Sequence, residues 1–160
     1  MHTGGVRILL KFVLDCDPNS AWHALRSPSV FRAVSAPLLK FTSLEDGGFP
    51  EIWSAGPHPV RARLLGRIGI GEQIIDLSFP RRRDGVRMEV DSGGGLTGAV
   101  SVITHWQHSM AISPDGNGRT LYRDRLVFKA GLLTLPLWPV LWAFWQWRGR
   151  RIRELSKDWA

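Results

Sequence analysis

The chain has 160 residues, 44% hydrophobic and 22% charged, which is the size and composition of one ordinary globular domain, so residues 1–160 are expected to form a single unit. Its one cysteine excludes an internal disulfide framework and a multi-cysteine zinc site, and a core of this size needs neither staple. The formal net charge is +7, and 17 of the 21 basic residues are arginine; such a surface suits carboxylate or phosphate partners, although a compositional bias of the genome produces the same excess.

Residues 6–14 read as a strand of β-branched and bulky apolar residues. Arg7 and Lys11 interrupt it and no small-residue cleavage site follows, so no secretory leader is expected and the predicted location is cytoplasmic. Asp17-Pro18 and Ser27-Pro28 each place a capping residue before a proline, the start signal of a helix. Two short helices follow, with Ala21, Trp22 and Leu25 inward on the first and Val30, Phe31 and Val34 on the second. Pro37 ends the second helix, and residues 38–44 form a strand.

Residues 45–59 are rich in Gly and Pro and read as loop around Ile52 and Trp53. From residue 60 to 129 the pattern is β. Strands are expected at 60–68, 72–79, 86–91, 100–113 and 119–129. Pro114-Asp115-Gly116-Asn117-Gly118 is a hairpin turn. In the last segment Leu141, Trp145, Arg148, Ile152, Leu155 and Trp159 recur every three or four residues, the stripe of an amphipathic helix, with Pro139 in its first turn. The fold class is therefore α+β: a curved antiparallel sheet wrapped around a long C-terminal helix, with two short helices after strand 1 and room for a cavity between sheet and helix.

This order, the Pro18, Ala21-Trp22, Leu25, Pro28, Phe31 stretch, and the Trp106, His108, Thr120-Leu121-Tyr122-Arg123-Asp124 hairpin running into Phe128 resemble the START/polyketide-cyclase superfamily (SRPBCC, birch-pollen-allergen-like), over nearly the whole chain. The resemblance implies the helix-grip fold and a hydrophobic ligand, such as a lipid, steroid or polyketide, held between sheet and helix. Some members are cyclases or dehydratases. The resemblance carries over no shared catalytic signature.

Folding the hairpin symmetrically about Gly116 sets His108 opposite Asp124, Met110 opposite Tyr122 and Trp106 opposite Leu126, all on one face. A His–Asp pair on an apolar face is a candidate acid–base couple, a ligand anchor, or a structural pair that satisfies itself. Candidate cavity walls are Trp22, Trp53, Trp106, Met110, Tyr122, Leu126, Phe128, Leu141, Trp145 and Arg148. Arg148 is a candidate partner for an anionic ligand end, or it pairs with Asp124 or Glu72, or it leans out to water. Glu72 and Asp76 share a strand face and are a candidate carboxylate pair for acid–base chemistry, or they face solvent with Ile75, Leu77 and Phe79 inside; Arg61, Arg63 and Arg67 are expected in solvent.

His105 and His108 alternate across a strand and cannot share a metal, and no cofactor is indicated. The glycine-rich 69–71 and 93–96 segments precede strands rather than helices and do not read as phosphate cradles. Arg81-Arg82-Arg83 lacks any accompanying nucleic-acid module, so no nucleic-acid partner is expected. Residues 130–147 carry no charge, but Pro136 and Pro139 divide them, which disfavours a spanning helix and leaves peripheral membrane contact through 132–145. Three functions remain open: a binding module for a small hydrophobic molecule, a cyclase- or dehydratase-type enzyme using His108 and Asp124, and a membrane-surface lipid carrier. Oligomeric state is not legible.

Overall fold

In the computed structural model, which describes residues 5–160, one antiparallel sheet is laid over a single long helix. The strands are β1 (Val6–Leu14), β2 (Leu39–Ser43), β3 (Gly56–Leu64), β4 (Ile68–Ser78), β5 (Arg87–Asp91), β6 (Gly94–Gly95), β7 (His105–Pro114) and β8 (Thr120–Lys129). Their order is β1-β8-β7-β5-β4-β3-β2, with the two-residue β6 paired to β4 off this path. Helices α1 (Pro18–Leu25) and α2 (Pro28–Ser35) follow β1, and α3 (Thr134–Ser156) closes the chain. This is the helix-grip arrangement expected from the sequence.

The local signals act as read. Asp17 accepts hydrogen bonds from the backbone N–H groups of Asn19 and Ser20, and Pro18 opens α1. Ser27 precedes α2 without a side-chain cap bond, and Pro28 supplies the first-turn geometry. On β3, Val60 and Ala62 are buried while Arg61 and Arg63 are exposed. Ile75 and Leu77 are buried on β4, and Glu72 on its other face pairs with Arg61 at 2.9 Å.

Several boundaries depart from expectation. β3 runs from Gly56 to Leu64, starting inside the stretch read as loop, and β4 starts at Ile68 rather than at residue 72. Residues 98–102 form a turn of 3₁₀-helix rather than strand, so β7 starts only at His105. Helix α3 starts at Thr134, so Pro139 lies inside it rather than in its first turn. The Thr134 hydroxyl donates to the Gly131 carbonyl and accepts from the Ala130 N–H, which fixes the earlier start. Pro139 has no N–H to offer the Leu135 carbonyl, and Leu135 is largely exposed.

The β7–β8 register departs as well. Asp115 accepts from the backbone N–H groups of Asn117 and Arg119, and its own N–H donates to the Arg119 carbonyl. That places the turn's centre at Asn117 rather than Gly116. His108 then lies opposite Leu126, Met110 opposite Asp124 and Trp106 opposite Phe128. Each partner moves by two residues, an even step, so every side chain keeps its face.

The described residues form three buried clusters, the first and third of which include side chains of α3. One holds Leu14, Tyr122 and Ile152; a second holds Phe41, Trp53 and Ile75; a third holds Ile8, Phe128 and Trp145. Helix α3 comes close to β1 at Gly149, where an added Cβ would meet a Leu10 methyl at 3.1 Å. Cys16, a free thiol, is buried in the first cluster, and burial pushes its pKa up.

Candidate functional site

A cavity of about 200 Å³ lies between the clusters. A cavity of roughly 150 Å³ with aliphatic walls accommodates benzene, so this space suits a molecule of one or two rings. α2 and β2–β4 wall one side, α3 walls the other, and β5 and β7 form its floor. Gly94, Gly95, Val100 and Ile103 close one end, on the segment between β5 and β7. That segment lies unusually close to β4: an added Cβ would come within 1.9 Å of the Ile74 carbonyl oxygen at Gly93, and within 1.9 Å of the Thr97 carbonyl oxygen at Gly71. Gly71, Gly93 and Gly95 therefore serve close backbone packing.

Six of the ten expected wall residues line this space or its rim: Trp53, Trp106, Met110, Leu141, Trp145 and Arg148. His108 lines it as well. Tyr122, Leu126 and Phe128 do not. They point inward from β8 but are sealed beneath α3, each fully buried in the packed core. Trp22 also lies off the cavity, edge-on to Phe79 with ring centroids 6.1 Å apart. Asp124 is one layer behind the wall, with no exposed side-chain surface.

His108 Nε2 lies 2.9 Å from Asp124 Oδ1. The bond runs diagonally across the β7–β8 ladder, since neither residue is the other's direct partner. Asp124 also accepts from Trp145 Nε1 at 2.9 Å and from the Tyr122 hydroxyl at 2.6 Å. Burial alone would raise this carboxyl's pKa, but His108, Arg148 and Tyr122 together hold it well below the ordinary carboxylate range. Asp124 is therefore an acceptor-only carboxylate, so His108 donates from Nε2 and keeps Nδ1 for other partners. Burial, and then the nearby Asp124 charge, drive the Tyr122 hydroxyl well above its usual pKa, so it remains a donor.

Two carboxyls that the sequence pattern placed on neither side stand on the cavity floor. Glu89 faces Met110 across β5–β7, and Asp91 faces His108. Glu89 is 5% exposed, and its Oε2 has no partner among the described residues. Burial, then the Asp91 charge, push its pKa up to about 8, against the opposing pull of Arg26 and Arg148. Asp91 accepts from Trp106 Nε1 and from the backbone N–H groups of Asp76 and Gly93, yet burial still raises its pKa. Met88 and Val90, which alternate with Glu89 and Asp91, lie on the other face of β5, opposite Ala111 and Ser109.

Arg148 projects from α3 into the same space. It is 6% exposed and reaches neither Asp124 nor Glu72 as an ion-pair partner, nor does it lean out to water. Its guanidinium lies over the Trp145 ring at 4.8 Å, Nη2 sits 3.9 Å from the Met110 sulfur, and Nε has no partner among the described residues. An arginine stays charged at any working pH, so this is a buried cation without a paired anion. Glu89 Oε2 and Arg148 Nε are thus buried polar groups without partners among the described residues, in a cavity lined mainly by apolar side chains.

No family model and no curated protein matches the chain. Solved structures do match in fold. A Helicobacter pylori protein called hypothetical aligns with a TM-score of 0.71 at 11% identity, over 97% of this chain and 90% of its own. The Zhui aromatase/cyclase of a Streptomyces species aligns at 0.67 and 11% identity, over 96% and 94%. Norcoclaurine synthase of Thalictrum flavum, in complex with a transition-state analogue, aligns at 0.63 and 10% identity, over 98% of each chain. The likeness read from the sequence is therefore one of fold, and this chain has the helix-grip fold seen in the aromatase/cyclase and in norcoclaurine synthase.

Proposed function

We propose that this protein binds a small, mostly apolar molecule with one polar end in the cavity between the sheet and α3. The observation that carries this reading is the unpartnered pair of polar groups, Glu89 Oε2 and Arg148 Nε, buried in a cavity whose other walls are mainly aromatic and aliphatic. An unpaired buried polar group costs free energy, and a ligand that supplies the missing partner recovers it. Ring contacts with Trp106, Phe144 and Trp145 contribute affinity through apolar burial, at ~25 cal/mol per Å². Arg148 donates to a carboxylate or phenolate oxygen, and the protonated Glu89 carboxyl donates to the same oxygen or to a neighbouring hydroxyl.

Titration with naphthalene, naphthol and naphthoate, followed by tryptophan fluorescence and calorimetry, tests this. Saturable one-site binding with naphthoate or naphthol tighter than naphthalene is the expected result. Failure of all three to bind, or equal affinity for all three, removes the polar recognition.

A second reading is acid–base catalysis, supported by the orientation of His108. With Nε2 committed to Asp124, Nδ1 is available as a base on a ligand proton, and Arg148 would stabilise the oxygen that gains charge. Two of the fold neighbours are enzymes by name, an aromatase/cyclase and a synthase. The test is exchange of the α-protons of an aryl methyl ketone into deuterated buffer. Exchange faster with the wild-type chain than with His108→Ala sustains catalysis; equal rates leave the binding function alone.

A further inference from the structure

We propose that the uncharged outer face at the start of α3, with the 3₁₀ turn Gly131–Leu133 before it, docks this protein onto the surface of an anionic phospholipid bilayer. The inference goes beyond the cavity and does not depend on what fills it. No charged residue occurs from Ala130 to Trp147. Within that stretch Leu132 is 99% exposed, Leu135 74%, Val140 62% and Trp142 45%. Pro136, Pro139 and Ala143 are exposed beside them. A solvent-facing helix surface normally carries charge, and a contiguous apolar patch of this kind marks a contact site.

The charge around the patch indicates what covers it. Beyond Trp147 the exposed side of α3 carries Arg150, Arg153 and, at its end, Lys157, against two acids, Glu154, which is paired to Arg151, and Asp158. An apolar segment running into a basic one matches a membrane interface: leucines enter the acyl boundary while arginines meet anionic headgroups. A second copy of the chain would cover the leucines but would make no use of the arginines.

The tryptophans fit the same surface. Trp138 donates its indole N–H to the Arg7 carbonyl, Trp147 donates to the Ala36 carbonyl, and Trp145 donates to Asp124. Trp142 stacks on Trp138 at 6.3 Å and makes no indole hydrogen bond among the described residues. A half-exposed indole with a free N–H is the side chain most enriched at the headgroup level. No helix among the described residues is long and apolar enough to cross a membrane, so the contact is with the surface. The opposite side of α3 stays on the protein, where Leu141, Phe144 and Trp145 wall the cavity.

Flotation with vesicles of phosphatidylcholine, with and without phosphatidylglycerol, tests the docking surface. The wild-type chain should float with the mixed vesicles and less with phosphatidylcholine alone. The double variant Leu132→Ser/Leu135→Ser should bind about tenfold more weakly or worse, because each leucine gives up its burial in lipid. Arg150→Gln/Lys157→Gln should lose the preference for phosphatidylglycerol. All four positions are exposed, so melting curves of these variants should match the wild type. The proposal is overturned if the wild type does not float, if the serine variant floats equally well, or if sedimentation shows a wild-type dimer that the serine substitutions dissociate. Naphthoate titration of the same samples separates the claims: intact cavity binding without flotation overturns the docking surface alone.

Discussion

His108 and Asp124 meet at 2.9 Å although the ladder sets them against other partners, His108 against Leu126 and Asp124 against Met110. The contact is possible because diagonal neighbours on one sheet face lie within reach of a long side chain. It also ties three elements together, since Asp124 takes donors from β7, β8 and α3. Replacing the carboxylate with an amide turns one of its acceptor positions into a donor facing another donor. Asp124→Asn should therefore lower stability by roughly 3–5 kcal/mol, the cost of breaking a buried charge-assisted network. Tyr122→Phe, which removes one donor and leaves two, should cost about 1 kcal/mol. Urea unfolding of both variants checks the order.

Glu89 makes stability depend on pH in a direction opposite to that of Asp124. Between its ordinary value of 4.5 and its folded value of about 8, the folded chain keeps a proton on Glu89 that the unfolded chain has released. The stability linked to this group is complete below 4.5 and is lost as pH rises through 8. Glu89→Gln mimics the protonated form and removes that dependence. Unfolding free energies measured across this window should converge at low pH, with the variant becoming more stable than the wild type as pH rises. A constant difference would mean that Glu89 does not hold its proton.

Arg148 should show a trade between stability and binding. Arg148→Met keeps an unbranched side chain against Trp145 and removes a buried cation that has no paired anion. The variant should be as stable as the wild type or gain about 1–4 kcal/mol. Its naphthoate affinity should fall by about tenfold or more, the size of a lost charge-assisted hydrogen bond, while naphthalene affinity should hold. Thermal unfolding and calorimetry of one preparation give both readings.

Gly71 tests the closed end of the cavity. At φ +121° an alanine is strained, and its Cβ would lie 1.9 Å from the Thr97 carbonyl oxygen. Gly71→Ala should cost roughly 1–3 kcal/mol from backbone strain, with the steric overlap in addition. It should push the 93–102 segment off β4, where the N–H groups of Leu96 and Thr97 now donate to the Glu72 carbonyl. Faster hydrogen exchange at those two amides and weaker naphthoate binding are expected. Gly69→Ala is the control, because nothing lies within 4 Å of its added Cβ.

Local chemistry in the sequence was enough to determine the order of the elements and the inward faces of most of them. Pro18 behind the capping Asp17 starts α1, Pro28 starts α2, alternation buries Val60 and Ala62, and the hairpin residues put His108 and Asp124 on one face. That last inference survived a register error because strand faces repeat every two residues. The register itself was decided by Asp115, whose side chain takes two backbone N–H groups within the turn and moves its centre to Asn117. The side of β5 that faces the cavity was decided by long-range pairing. Met88 and Val90 alternate with Glu89 and Asp91, so hydrophobicity favours burying the former. Pairing with β7 sets Glu89 and Asp91 inward instead, beside Met110 and His108. The segment between β5 and β7 carries β6 and a 3₁₀ turn rather than a short hairpin, so its length alone could not specify that register. Tertiary packing likewise left Arg148 without an anion and sealed Tyr122, Leu126 and Phe128 under α3, because the helix's position over the sheet depends on all its contacts at once.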